Sequence, residues 1–325
     1  MTFYDGKSIV VLGGYGFLGS HISKKLSNYD CRLFISSQKN GVDFRRFDSC
    51  LNYLQNIRPD IIFNCVGDQG GIGYYENREG QIYLDNLLMG TYLMEAARIA
   101  GAKKYVNIVP NCSYPGHLSG ELIREEDFWD GPLHNSVLSY GFSKKAPVIQ
   151  GWSYAKQYHF NSIHLILTNM YGPGDHFDAQ KSHALGALLL KFYEAKKNHI
   201  PSVEVWGTGE AIREWLYVED AADAVIRAGE KYDELDPLNI AVGSGISISE
   251  LAEIIKRITR FEGKIIYNKN RPSGAKKKVL SVSKMQDKLK WTPETPIETG
   301  IGQTLRWLEE HYDTVVALQK SQTSP

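Results

Sequence analysis

The chain has 325 residues, with 37 basic and 37 acidic side chains and a formal net charge of zero. That balance excludes the broad positive field that draws nucleic acid or anionic lipid non-specifically, so any anionic ligand must be held by a local site. No segment approaches the roughly 18 apolar residues that span a bilayer. The four cysteines, Cys31, Cys50, Cys65 and Cys112, have no C-x-x-C pairing and no framework spacing, and they are read as reduced thiols of a soluble cytoplasmic protein. The start, M-T-F-Y-D-G-K-S-I-V-V-L, lacks the charged end and long apolar stretch of a signal segment.

In chain order the pattern predicts a strand at 8–12, a helix at 16–26, a strand at 32–35, a helix at 47–56, a strand at 61–65 and a helix at 82–100. A strand at 104–108, a helix at 140–158 and a strand at 162–168 follow. Alternation of this kind means parallel strands with crossover helices, hence an α/β fold of the Rossmann type with a doubly wound sheet. Ligands of such sheets bind at the carboxyl ends of the strands. Beyond 168, prolines and glycines punctuate shorter elements, with helices expected at 185–198, 218–231, 248–260 and 297–311. The expected division is a dinucleotide-binding domain over 1–170, also receiving about 218–242, and a smaller discontinuous lobe over 171–217 and 243–325. The polar tail at 319–325 is expected to fray.

The first strand runs into L-G-G-Y-G-F-L-G-S-H, with Gly13, Gly16 and Gly19 spaced for a phosphate loop. Gly13 serves the tight turn, Gly16 the approach of bare backbone to a pyrophosphate, and Gly19 the packing of helix on strand. The helix start at Phe17 and Leu18 then faces the phosphates. A glycine triplet alone marks many ordinary turns; here the strand before and the helix after agree with the motif. The second strand ends I-S-S-Q-K and not in the carboxylate that holds a ribose 2′-hydroxyl. Ser36, Ser37 and Lys39 suit the 2′-phosphate of NADP, although Lys39 also reads as a solvated loop charge. Asp43 stands where the adenine would be met.

Tyr140-Gly-Phe-Ser-Lys144 places a phenol and an ammonium one helical turn apart. A fixed ammonium beside a tyrosine favours its phenolate and fits it to exchange a proton with a hydroxyl or carbonyl while hydride moves. By itself the spacing is common on exposed helix faces. Following the glycine loop in a chain of this alternation, it resembles the extended short-chain dehydrogenase/reductase superfamily. The resemblance extends through D-I-I-F-N-C-V-G at 60–67, the helix carrying Asn86, N-M-Y-G-P-G-D at 169–175, R-E-W-L-Y-V-E-D at 213–220 and L-N-I-A-V-G-S-G at 238–245. It implies a nucleotide-linked sugar as substrate and a homodimer formed through the helices at 82–100 and 140–158.

Three stretches narrow the resemblance to the GDP-L-fucose synthase family: N-C-S-Y-P at 111–115, K-S-H-A-L-G-A-L-L-L-K-F-Y-E-A at 181–195 and V-W-G-T-G-E-A-I-R-E-W-L-Y-V-E-D at 205–220. That family consists of NADPH-dependent 3,5-epimerase/4-reductases of a GDP-4-keto-6-deoxyhexose. The resemblance assigns the two epimerisation groups to Cys112 and His183, each of which alone reads as a small core residue or a helix-start polar group. A ketone at carbon 4 acidifies the hydrogens at carbons 3 and 5. Inversion there needs a base on one face and an acid on the other, which a thiolate and an imidazolium supply. By the same resemblance, Lys191 and Arg213 meet the nucleotide's phosphates, Trp206 packs near the base and Asn169 borders the substrate. Lys278 meets the ribose or phosphate region, while the run Lys276 to Lys278 reads equally as a solvated loop. Gln69, Gly70, Gly71 and Ile72 resemble the loop that approaches the hexose, and no metal is implied.

One position departs from the pattern. The family usually has two serines before the cysteine, the first hydrogen-bonding the carbon-4 oxygen, and here those positions are Pro110 and Asn111. Proline has neither hydroxyl nor amide hydrogen, and losing such a donor costs roughly 2.7 to 4 kcal/mol of barrier. Either Asn111 or Ser113 supplies the donor, or reduction is slow while epimerisation persists, or the substrate differs; the intact Tyr140, Lys144 and glycine loop favour the first. A 4,6-dehydratase would need a carboxylate close after the fourth strand, and none precedes Glu121. An NAD-dependent 4-epimerase needs neither Cys112 nor His183. A relative acting on a GDP-heptose or GDP-dideoxyhexose, and a catalytically silent NADP-binding scaffold or sensor, are the remaining alternatives.

Overall fold

β1 (Ser8–Leu12) is buried along its whole length, as a strand covered by helices on both faces must be. The order continues with α1 (Phe17–Leu26), β2 (Arg32–Ser36), α2 (Phe47–Ile57), β3 (Ile61–Asn64), α3 (Glu79–Ile99), β4 (Lys104–Pro110), α4 (Leu138–Tyr158) and β5 (Ser162–Leu167). Then come β6 (Asn169–Tyr171), α5 (Ala184–Lys197), β7 (Ser202–Trp206), β8 (Ile212–Arg213), β9 (Trp215–Tyr217), α6 (Val218–Lys231) and β10 (Leu238–Ile240). The chain ends with β11 (Ile246–Ser247), α7 (Ile248–Thr259), β12 (Lys264–Asn268), β13 (Lys277–Lys278), α8 (Ser283–Leu289) and α9 (Ile297–Thr323). This computed structural model describes residues 2–38, 41–70, 74, 78–177, 182, 184–270 and 275–323. Lys39, Gly71, Ile72, Lys181 and His183 therefore lie outside the described residues.

The main sheet has six parallel strands in the order β10-β5-β4-β3-β1-β2, the doubly wound arrangement expected. Ile22 and Leu26 of α1 and the alanine-rich face of α6 pack under Ile9, Val11, Phe63 and Val106. Cys50 and Leu54 of α2 and Met89, Leu93 and Met94 of α3 cover Val10, Leu12 and Ile62 on the other face. α4 lies beside α3, and a Cβ on Gly90 would stand 2.7 Å from the Pro147 ring. The absence of a side chain at Gly90 is what lets the two helices meet there.

A second core gathers Leu185, Leu189 and Phe192 of α5, Leu251 and Ile255 of α7, and Ile301, Leu305 and Leu308 of α9. Around it lie small sheets: β12 beside β7, β6 beside β9, and β11-β8-β13. Two differences from the sequence-based elements have a packing cause. α9 runs to Thr323, past the expected helix end at 311 and into the tail expected to fray; its apolar face carries on past 311 through Tyr312 and Val315 into the second core. β4 extends past the expected end at 108 to Pro110, which pairs in register with Leu167; as the last residue of its strand, a proline costs the ladder little.

Candidate functional site

The glycine loop leaves β1 at Gly13, whose φ of +73° lies in the left-handed region and whose Cβ, if present, would come 3.0 Å from the Cys65 carbonyl group. A Cβ on Gly19 would stand 2.3 Å from the Gly13 oxygen, so the first turn of α1 presses on the loop itself. No side chain caps α1 at Gly16 and its first turn carries no acidic group. The N–H groups beside Phe17 and the buried Leu18 thus remain a positive helix end for an anion. Ser36 closes β2 and is buried. The Oγ of Ser37 is buried with no hydrogen-bond partner among the described residues. Uncapped helix, bare loop and orphaned hydroxyl fit a pyrophosphate with a further phosphate near the second strand. Asp43 is held by Arg45, whose Nε donates to its Oδ1 at 2.9 Å, and this contact keeps the carboxyl below the usual carboxylate range.

Tyr140 and Lys144 sit buried on the first turns of α4. Lys144 Nζ donates to the Val66 carbonyl at 2.8 Å. A Cβ on Gly67 would lie 3.8 Å from both Tyr140 Oη and Lys144 Nζ, so the backbone after β3 runs along the pair. Burial pushes the Lys144 ammonium down to about 8, with the Cys65 and Cys112 sulfurs opposing. Tyr140 Oη donates to Gln69 Oε1 at 2.9 Å. The preceding residue is clamped to α3, since Asp68 N donates to Asn86 Oδ1 and Asn86 Nδ2 donates to the Asp68 carbonyl, both at 2.9 Å. Asn86 and the Gln69 side chain are parts of the site whose contacts sequence reading missed. A polar asparagine in a largely apolar mid-helix stretch was the available signal for the first; Gln69 was placed by resemblance near the hexose, but nothing local marked its contact with Tyr140.

Asn111, Cys112 and Ser113 form one tight turn at the end of β4. Ser113 Oγ donates to the Gly141 carbonyl at 2.9 Å, which commits its hydroxyl hydrogen to α4. A Cβ on Gly141 would stand 2.9 Å from the Cys112 carbonyl oxygen and 2.6 Å from Leu133, so this glycine lets the turn dock next to Tyr140. Cys112 packs into a small apolar cluster with Tyr140, Tyr74 and Ile82. Burial pushes its thiol up to about 11, with the Lys278 and Lys144 ammonium groups opposing. Desolvation thus outweighs both cations and favours the protonated thiol, while His183, expected to help ionise it, lies outside the described residues. Asn111 Nδ2 lies 3.5 Å from Thr168 Oγ1. The Thr168 hydroxyl donates in turn to the buried Glu214 carboxylate, which also accepts from the amides of Val242, Gly243 and Leu280.

At the lobe side, Arg213 on β8 and Lys278 on β13 are register partners. Arg213 Nη1 donates to the carbonyls of Ile212 and Ala275 at 2.8 and 2.7 Å. Burial draws the Lys278 ammonium below its ordinary range, with Cys112 opposing and Arg213 reinforcing. Lys276 is exposed as the solvated-loop reading has it, whereas Lys277 and Lys278 form a strand in which Lys278 is desolvated and feels both Cys112 and Arg213. Lys191 Nζ lies 5.4 Å from the Trp206 ring centroid, and Trp206 itself is 53 % exposed. Asn169 Nδ2 donates to the Glu214 carbonyl at 3.2 Å. Asp175, just before the segment that holds His183, is buried. Its carboxyl is pushed up to about 8 by that burial, and its Oδ2 has no hydrogen-bond partner among the described residues.

Comparison with known proteins matches residues 9–243 to the NAD dependent epimerase/dehydratase family. The GDP-L-fucose synthase of Sinorhizobium fredii is 32 % identical over 304 residues, covering 94 % of this chain and 96 % of that protein. Among solved structures, a GDP-L-fucose synthetase from Naegleria fowleri bound to NADP superposes with a TM-score of 0.88 at 26 % identity, covering 97 % of each chain. A GDP-6-OMe-4-keto-L-xylo-heptose reductase from C. jejuni superposes with a TM-score of 0.87 at 25 % identity, covering 96 % of this chain and 99 % of that one.

Proposed function

The chain belongs to the NAD dependent epimerase/dehydratase family, and from that premise we propose that it is an NADPH-dependent epimerase/reductase of a GDP-4-keto-6-deoxyhexose, of the GDP-L-fucose synthase kind. The observation that supports this reading is that Tyr140 and Lys144 meet beside Gly67 while Cys112 packs against Tyr140. The glycine loop from Gly13 to Gly19, with Ser36, Ser37, Lys39 and Asp43, is proposed to hold the cofactor, which supplies hydride when bound. Tyr140 gives its phenolic proton to the carbon-4 oxygen as that oxygen gains charge, and the ammonium of Lys144, anchored on the Val66 carbonyl, stabilises the phenolate left behind.

Before reduction, the acidic hydrogens at carbons 3 and 5 exchange between Cys112 and His183 on opposite faces of the ring. With its pKa up at about 11, Cys112 rests as the proton donor and acts as base only through its minor thiolate. Asn111 is proposed to present its carboxamide from the same turn, and Gly71 and Asn169 to border the hexose. Arg213 and Lys191 are proposed to hold the pyrophosphate, Lys278 the ribose or phosphate region and Trp206 the base; an arginine fork with neighbouring ammonium groups suits that charge in a chain of zero net charge. The substrate lobe would comprise 171–217 and 243–325. Exposed Tyr83 and Leu84 on α3 and Phe142 and Ile149 on α4 support a homodimer through these helices, and four free cysteines support a cytoplasmic setting.

A GDP-heptose as substrate is the second reading, favoured by the likeness to the C. jejuni heptose reductase. Purified protein mixed with NADPH and GDP-4-keto-6-deoxymannose in deuterated water separates the outcomes. Oxidation of NADPH together with deuterium at carbons 3 and 5 is expected. Neither signal above background would sink the reading, and activity only with a 4-keto GDP-heptose would establish the second.

A further inference from the structure

The donor that Pro110 cannot provide has a better-placed source than its own turn. Around Cys112 the polar groups face elsewhere: the Ser113 hydroxyl donates to Gly141, and the Asn111 amide leans on Thr168. On the loop after β3 the situation is reversed. The backbone at Asp68 is clamped by Asn86 from both sides, and Tyr74 Oη donates to Asp68 Oδ1 at 2.6 Å. A Cβ on Gly70 would stand 2.6 Å from Tyr74, so that ring lies directly on the backbone following Gln69. Between these fixed points the Gln69 carboxamide reaches Tyr140 Oη at 2.9 Å.

That contact has a geometric consequence. To protonate a carbonyl oxygen, Tyr140 must hold it within hydrogen-bond distance of its own Oη. The oxygen and nitrogen of a carboxamide are only roughly 2.3 Å apart on one planar carbon, so a group whose Oε1 rests on Tyr140 has its Nε2 hydrogens in the same small space. We propose that Gln69 donates an Nε2 hydrogen to the carbon-4 oxygen protonated by Tyr140, in place of the hydroxyl absent at Pro110. When the substrate arrives, the phenolic hydrogen leaves Oε1 and turns to the carbon-4 oxygen, so the two donors meet on that atom. The inference rests on the reaction proposed above.

The test compares the parent with Gln69→Met, which keeps the shape and loses the donor, Gln69→Glu, which keeps the acceptor, and Asn111→Ala. With NADPH and GDP-4-keto-6-deoxymannose, Gln69→Met should lose roughly a hundredfold or more in kcat, with KM nearly unchanged because the nucleotide contacts lie in the other lobe. Enolisation draws on the same oxygen, so deuterium entry should fall with it. Gln69→Glu should be at least as slow at pH 8 and recover as the pH falls through its carboxyl pKa, where the protonated acid regains a donor. A merely structural role would not produce that profile. Gln69→Met within about twofold of the parent, with Asn111→Ala carrying the loss, would overturn the assignment to Gln69 alone. A parent with neither signal would overturn the reaction itself and this role with it.

Discussion

The turn at 110–114 and the loop at 65–70 end neighbouring parallel strands and flank the same tyrosine, yet they treat their polar groups in opposite ways. In the turn, nearly every polar group is spent on the scaffold. Ser113 is bonded to Gly141 and Tyr114 to Asn239, and Asn111 leans on Thr168, itself bonded to Glu214. The Cys112 thiol beside Tyr140 is the turn's proposed proton-transfer group. In the loop the scaffold is held from outside by Asn86, and the carbonyl of Val66 and the carboxamide of Gln69 are turned onto Lys144 and Tyr140. The lesson is a division of work: the turn offers a proton-transfer group in an apolar setting, and the loop offers the hydrogen bonds that set a charge.

The strongest way to break that contrast is to remove one worker at a time. Tyr140→Phe should lower hydride transfer by about 10²- to 10⁴-fold, the usual worth of a positioned acid, as read from single-turnover NADPH oxidation. Cys112→Ala should leave NADPH binding intact and bring deuterium entry at carbons 3 and 5 down to background. If exchange survives in Cys112→Ala, the turn has no proton to give and the comparison fails.

A pH series sharpens it further. Cys112 is raised to about 11, so between pH 7 and 9 its thiolate fraction grows about tenfold per unit, and exchange should climb. Lys144 is lowered to about 8, so its ammonium is lost as pH rises through that value, and hydride transfer should decline over the same interval. Parallel profiles for the two steps would contradict the division. The smallest effect is expected from Gly141→Ala. The added methyl meets Leu133 and the Cys112 carbonyl at 2.6 and 2.9 Å, so the turn must shift, at a cost of about 1–3 kcal/mol in denaturant unfolding. Exchange should suffer more than hydride transfer.

Much of the fold was legible because its signals are local. Five of the six central strands and their crossover helices announce themselves by short apolar runs alternating with amphipathic stretches, and the glycine loop by its position between two of them. β10 was not legible as a strand: Leu238–Ile240 is three residues long and takes its identity from pairing with β5. In the site, Tyr140 and Lys144 were readable because four residues on a helix make neighbours. Cys112 was readable as a position, but its protonation was not, since desolvation depends on what closes around it. Lys278 read equally as a ligand for ribose or phosphate and as a solvated loop charge, and its desolvation depends on β13 lying beside β8.

The parallel sheet, the phosphate loop and the phenol-ammonium pair are all products of periodicity and short spacing, and so are written in the residues alone. The tertiary structure alone decided that Gln69 meets Tyr140 across 71 residues, that the Cys112 thiol keeps its proton, and that the hydroxyl of Ser113 is spent on α4. Those outcomes depend on distances and desolvation between segments remote in the chain, and no local pattern encodes them before the strands are laid side by side.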